Sequence, residues 1–218
     1  MLLLLVRHAL TPRTGVKLSG WTPGVHLSRE GRAQADALVQ RFEGVTLDAI
    51  YVSPLERTRE TAEPLATARG LEIRERQDVG EVRYGSIEGR TLKSLYKIPL
   101  WSKLQAWPSD VRFPGGESLR ETQARAVGAI EALRAEHPKQ TVAVFSHGDW
   151  IRLAMAHYIG THIDLYRRLS IETTSVSAIG FHAFGPTIRL VNGTGALAHL
   201  SPAKEPPKPK ARAKVTKA

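Results

Sequence analysis

The sequence predicts an α/β fold in which a mostly parallel central sheet is flanked by helices. Three observations predict it. Residues 2–6 form a short continuous apolar run, the pattern of a strand buried on both faces. Helix starts carry capping residues, and glycine or proline follows the helix ends. Strand and helix signals then alternate along most of the chain.

Taken in order, the strand at 2–6 comes first. Ser28 offers an N-cap for a helix through Ala33, Ala37 and Leu38 to about Phe42, with Gly44 as its stop. Residues 47–52 read as the second strand. Ser53-Pro54-Leu55-Glu56 follows, with the spacing of a capping box and a proline at the first helical position. That helix is predicted to reach about Ala68, with an irregularity at Glu63-Pro64 and an end at Gly70. A short strand fits 71–74. Ser118 and Glu121 form another capping box, for a helix stopped by Pro138. Residues 141–145 read as a strand, 149–159 as a helix with Trp150 and Met155 in the core, and 175–181 and 187–192 as a closing pair of strands. No internal repeat is visible.

The chain has 218 residues, 42% hydrophobic and 24% charged, which suits one globular domain with an appendage. With no cysteine, it has no disulfide framework, thiolate metal site or cysteine nucleophile. The opening MLLLL is too short for a signal-peptide core and lacks a basic lead. No run approaches the ~20 apolar residues of a membrane span. A cytoplasmic protein is the expectation.

Half of the formal charge of +10 lies in the last eighteen residues, where six basic side chains face one acid. The predicted organisation is therefore a domain over 1–200 and a disordered Pro/Lys-rich tail over 201–218. Clustered lysine can serve nucleic acid or another polyanion through counterion release. It can equally act as a solubilising tail, and the lack of interleaved aromatic residues favours that second reading.

In open parallel sheets, ligands bind beyond the carboxyl ends of the strands. Three predicted strand ends deliver Arg7-His8, Ser53 leading to Arg57, and Ser146-His147-Gly148. Arg57 falls in the first turn of its helix, where free N–H groups and the helix dipole favour an anion. Arginine is the fork-shaped donor for phosphate oxygens, and neutral imidazole is a competent nucleophile toward phosphorus. Two histidines and two arginines in one crevice make a phosphoryl site. The other histidines (His26, His137, His157, His162, His182 and His199) show no convincing metal spacing, and no metal or cofactor is expected.

The blocks LVRHALT at 5–11, SGWTPGVHLSREGRAQA at 19–35, SPLERTRETA at 53–62, GEVRYGSIEGR at 80–90, FPGGES at 113–118 and SHGD at 146–149 resemble the histidine phosphatase superfamily, which includes the cofactor-dependent phosphoglycerate mutases. They occur in family order and cover residues 2 to about 195. Within it the chain is most similar to a bacterial subgroup labelled probable phosphomutase. The resemblance implies a three-layer, phosphoglycerate mutase-like sandwich. It implies His8 as the nucleophile that becomes phosphohistidine, and Arg7, Arg57 and His147 as ligands of the phosphoryl oxygens. It implies Glu81 as the proton donor, with Glu88 and Glu117 as nearby alternatives. Gly148, Thr14 and Gly20 join the expected phosphate or substrate contacts. Relatives of this fold often dimerise, so a dimer is compatible.

Two departures stand out. Ala9 occupies the place of the family's usual glycine. In TPRTGVK at 11–17 many relatives carry an asparagine, for which Thr11, Arg13 or Thr14 would substitute. Arg59 and Arg83 read as surface or structural ion-pair partners. The basic and aromatic stretch 91–113 reads either as a cap over the crevice, selecting a small anionic or ring-bearing phosphate, or as a solvated loop. The expected activity is metal-independent hydrolysis of small phosphomonoesters. The alternatives are a phosphomutase and, in a different class, a degenerate phosphate-binding or scaffold protein. The lack of long insertions favours hydrolysis.

Overall fold

The computed structural model describes residues 1–200, so the predicted tail at 201–218 lies outside the described residues. Six strands form one sheet: β1 (Leu2–Arg7), β2 (Ala49–Val52), β3 (Ile73–Glu75), β4 (Thr141–Ser146), β5 (Val176–His182) and β6 (Gly185–Gly193). Their order is β3-β2-β4-β1-β5-β6. The first four run parallel, and β5 and β6 are added antiparallel.

The apolar run of β1 is explained by its central place. Leu3 and Leu5 enter one core with Val142 and Val144, under α5 (Leu119–Glu136) and α6 (Gly148–Ile159). Leu4 and Val6 enter a second core with Ile50, Val52 and Phe145, under α1 (Arg29–Arg41) and α2 (Glu56–Arg69). Side chains alternate across a strand, so a strand covered on both faces must be apolar at every position. The three-layer sandwich follows.

Most helix signals act as the sequence predicts. Ser28 caps α1 through the Gly31 N–H, and Ser118 and Glu121 close a capping box on α5. The signal at Ser53 does not. Helix α2 starts at Glu56 with Leu55 at its N-cap and no side-chain cap; the Ser53 hydroxyl accepts from the Leu55 N–H, one residue short of the helix, at 3.4 Å and meets the His147 ring at 2.7 Å. Pro64 lies inside α2 without ending it.

The stretch after Arg90 folds. It forms α3 (Leu92–Leu95) and α4 (Pro99–Ala106), and Leu95, Trp101, Leu104, Val111 and Phe113 pack in a third core with Leu153 of α6 and Tyr166. This settles the choice between cap and loop in favour of a packed cap, since its apolar residues have a partner surface to bury against. Among the described residues, no helix is long and apolar enough to cross a membrane.

Candidate active site

Neighbouring strands β1 and β4 send their chains to opposite faces of the sheet, β1 to α1 and β4 to α6. A crevice opens at such a divergence. The pocket there has a volume of about 280 Å³ and is walled by residues of the β1, β2 and β4 ends and of the cap. Arg7, His8, Thr14, Gly20, Arg57, Glu81 and Gly148 all line it; His147 does not.

His8 is buried, and its Nδ1 lies 2.8 Å from the Ala9 carbonyl oxygen. A carbonyl can only accept, so Nδ1 carries the proton and Nε2 keeps its lone pair. Burial, then the charges of Arg57 and Arg7, hold the ring well below the usual histidine pKa. Ala9 does not have a left-handed backbone, so the glycine usual in the family is not required here.

Arg57 is buried in α2 and anchored by one nitrogen. Its Nη2 donates to the Gly20 carbonyl at 2.8 Å and to His147 Nδ1 at 3.1 Å. Its Nε and Nη1, and the Nε of Arg7, are buried donors without an acceptor among the described residues. Burial lowers Arg57 to about 10, which leaves it charged at neutral pH. Gly20 itself has φ +50°, and a Cβ there would stand 2.6 Å from the Glu88 carboxyl, so the loop that holds Arg57 needs glycine.

His147 lies behind Arg57. It is fully buried, its ring is edge-on to His8 with centroids 5.3 Å apart, and its Nε2 donates to Ser53 Oγ at 2.7 Å. Burial first, then Arg57, depresses its pKa strongly.

Glu81 is buried in the pocket wall, and its Oε1 accepts from the backbone N–H groups of Val82 (3.0 Å) and Trp150 (3.2 Å). Burial and the neighbouring Asp149 charge raise its pKa to about 7. The alternatives fall elsewhere. Glu117 is clamped by Arg125, and Glu88 accepts from the backbone of Trp21 and Tyr84.

In the 11–17 loop, Thr11 and Thr14 reach the pocket and bond each other, whereas Arg13 does not line it. Arg59 pairs with Glu75, and Arg83 lies over the Trp21 ring with 3.9 Å to its centroid. Trp150 and Met155 are core residues.

Several pocket residues carry no local mark in the sequence. Asp149 accepts from Tyr84 Oη at 2.8 Å and from Arg152 at 2.7 Å. Burial pushes the Asp149 carboxyl up, but Arg152 and Tyr84 outweigh it and hold the pKa below the usual aspartate value. The spacing of Asp149 and Arg152 on one helix face is the only sequence sign of this pair.

Fold and pocket together define an α/β protein whose crevice sets buried arginines beside a neutral histidine. The chain belongs to the histidine phosphatase superfamily (branch 1), whose family model matches residues 3–194. It is 33% identical over 181 residues to Phosphoserine phosphatase 1 of Hydrogenobacter thermophilus, covering 81% of this chain and 85% of the relative. It is 28% identical over 201 residues to a Probable phosphoglycerate mutase GpmB of Erwinia tasmaniensis, covering 90% and 93%. Among solved structures it is similar to Bacillus stearothermophilus YhfR, with a TM-score of 0.82, 26% identity, and 92% and 99% of the two chains covered.

Proposed function

We propose that the protein hydrolyses phosphomonoesters of small organic molecules through a phosphohistidine at His8, without a metal ion. One observation carries the reading: Arg7 and Arg57, three of whose buried guanidinium nitrogens have no partner among the described residues, line a pocket with a neutral His8. A transferring phosphoryl group spreads its charge over three equatorial oxygens, and preorganised donors stabilise that charge. In the first step the Nε2 lone pair attacks phosphorus in line while the bond to the leaving oxygen breaks. Glu81 gives that oxygen its proton. Water then attacks the phosphohistidine, Glu81 takes the water's proton, and the P–N electron pair returns to Nε2. A carboxyl with a pKa of about 7 is suited to both duties.

His147 holds the Arg57 fork through Nδ1. Its Nε2–H, now on Ser53, would serve a phosphoryl oxygen by exchanging that bond for the substrate. Thr14 and Gly148 line the same wall and complete the contacts. The cysteine-free sequence suits a cytoplasmic setting, and the similarity to a phosphoserine phosphatase supports a small phosphorylated metabolite as substrate.

The test is phosphate release from p-nitrophenyl phosphate and a panel of sugar, glycerate and nucleotide phosphates in EDTA, with wild type beside His8→Ala. Turnover by wild type alone, indifferent to chelation, supports the reading. Similarity to a probable phosphoglycerate mutase supports phosphoryl transfer to a second hydroxyl as the alternative. Absence of hydrolysis, followed by isomerisation on addition of a bisphosphate primer, would establish it. Failure of both would leave a phosphate-binding protein.

A further inference from the structure

We infer that the pocket contains a second anion subsite, formed by Arg167 and Trp101, which selects phosphomonoesters whose leaving group carries an anionic group of its own. The inference rests on the phosphatase reading for the phosphoryl end of the pocket and assigns the other end.

The charge of the pocket points to it. Five cationic side chains line it (Arg7, Lys17, Arg57, Arg152 and Arg167), against the two acids Glu81 and Asp149. A bound phosphomonoester brings a charge of about −2 at neutral pH. With both acids ionised one positive charge remains unbalanced, and a protonated Glu81 leaves two. Arg152 is committed, since it donates to Asp149 and to the Leu169 carbonyl. Arg167 is not. It sits on the turn Ile163–Arg168 with an exposed side chain, and it makes no hydrogen bond or ion pair among the described residues. Both oxygens of Asp149, the acid whose field it shares, are already held by Tyr84 and Arg152.

The second observation is a buried donor. Trp101 of α4 is only 7% exposed and forms part of the pocket wall, yet its Nε1–H has no acceptor among the described residues. A buried unpaired N–H is costly, and a ligand oxygen relieves that cost. The ring stands edge-on to Tyr96 at 5.7 Å between centroids, and the guanidinium carbon of Arg167 lies 5.9 Å from its centroid. An oxygen-rich anion entering between them would meet a free cation and a free N–H on a rigid aromatic wall. A carboxylate and a second phosphate share this chemistry.

The experiment compares kcat/KM for O-phosphoserine with O-phosphoethanolamine, which lacks the carboxylate, and for fructose bisphosphate with fructose monophosphate. Wild type is expected to prefer the doubly anionic member of at least one pair, and the pair showing the preference identifies the anion as carboxylate or phosphate. The preference ratio should fall about ten- to a hundred-fold in Arg167→Gln. It should fall about three- to ten-fold in Trp101→Phe, which keeps the ring and removes the N–H. Arg168→Gln, outside the pocket wall, controls for general charge. The same pairs are titrated calorimetrically into His8→Ala. Arg167-dependent preference in binding without turnover by wild type would uphold the subsite and refute the phosphatase reading. Turnover with a ratio untouched by Arg167→Gln and Trp101→Phe would overturn the subsite and leave the phosphatase reading standing.

Discussion

Arg57 Nη2 donates to Nδ1 of His147 at 3.1 Å, deep in the wall between α2 and β4. The bond fixes both groups. It makes Nδ1 of His147 an acceptor, which puts that ring's proton on Nε2, and it leaves Nε and Nη1 of the guanidinium buried without a partner among the described residues. His147 therefore orients the Arg57 fork as well as standing edge-on to His8.

Arg57→Lys is expected to fold and to lose most activity. An ammonium keeps the charge but cannot hold Gly20 and His147 with one nitrogen while presenting two others. We expect kcat/KM for p-nitrophenyl phosphate to fall about 10²- to 10³-fold, the size of losing one transition-state donor set. Steady-state kinetics with the melting temperature measured alongside checks this, and a loss below ten-fold would refute the fork's role.

The pH dependence is set by Glu81, with a pKa of about 7. The acid form delivers the proton, so activity should be flat on the acid side and fall as pH rises through about 7. His8 stays neutral well below the usual histidine range, so no acidic limb should appear near the ordinary histidine value. In Glu81→Gln the limb near 7 should vanish together with most turnover, by about 10²- to 10⁴-fold.

Stability should respond to the same carboxyl. Its folded pKa lies above the unfolded value, so the folded state binds the extra proton and stability drains as pH rises from about 4.5 to about 7. Above that window the full penalty, on the order of 3 kcal/mol, is present. Glu81→Gln should thus melt higher than wild type at pH 8, with the gain shrinking toward pH 5, as calorimetry at the two pH values would show. An equal difference at both would contradict the raised pKa.

Tyr84→Phe removes the hydroxyl that donates to Asp149 Oδ2. A hydrogen bond to a buried charge contributes about 1.5–3 kcal/mol, and the carboxylate oxygen would be left without its donor. Denaturant unfolding should show that loss. A change under about 0.5 kcal/mol would mean that water replaces the phenol.

Ending the chain at Leu200 should leave turnover of small substrates within about two-fold of the full chain. Leu200 shares a surface hollow with Met1, Leu2 and Thr141, at the ends of β1 and β4 opposite His8 and His147. A large loss on truncation would show that the tail takes part in the site.

Most of the fold, and the convergence of Arg7, His8, Arg57 and Glu81 on one pocket, were legible in the sequence. Both-face burial forces every residue of β1 to be apolar, and capping chemistry at Ser28 and Ser118 is local, so neither depends on distant contacts. The strand ends then had to carry Arg7-His8 and Ser146-His147 to one edge. Ser53 misleads because its hydroxyl binds the His147 ring, brought from 94 residues away, and reaches only the Leu55 N–H ahead of the helix. The cap was legible as an insertion but not as a folded layer, since its core requires Leu153 and Tyr166 from a later part of the chain.

By itself, the sequence determined the layered α/β order, the arrival of Arg7-His8 at a strand end, and membership of the histidine phosphatase superfamily. Tertiary structure alone decided the tautomers of His8 and His147, the pairing of Asp149 with Arg152, the raised pKa of Glu81, and which pocket cations stay unpaired. The division has a physical cause. Periodicity and capping are written in near neighbours, whereas burial, hydrogen-bond partners and electric field are set by residues that only folding brings together.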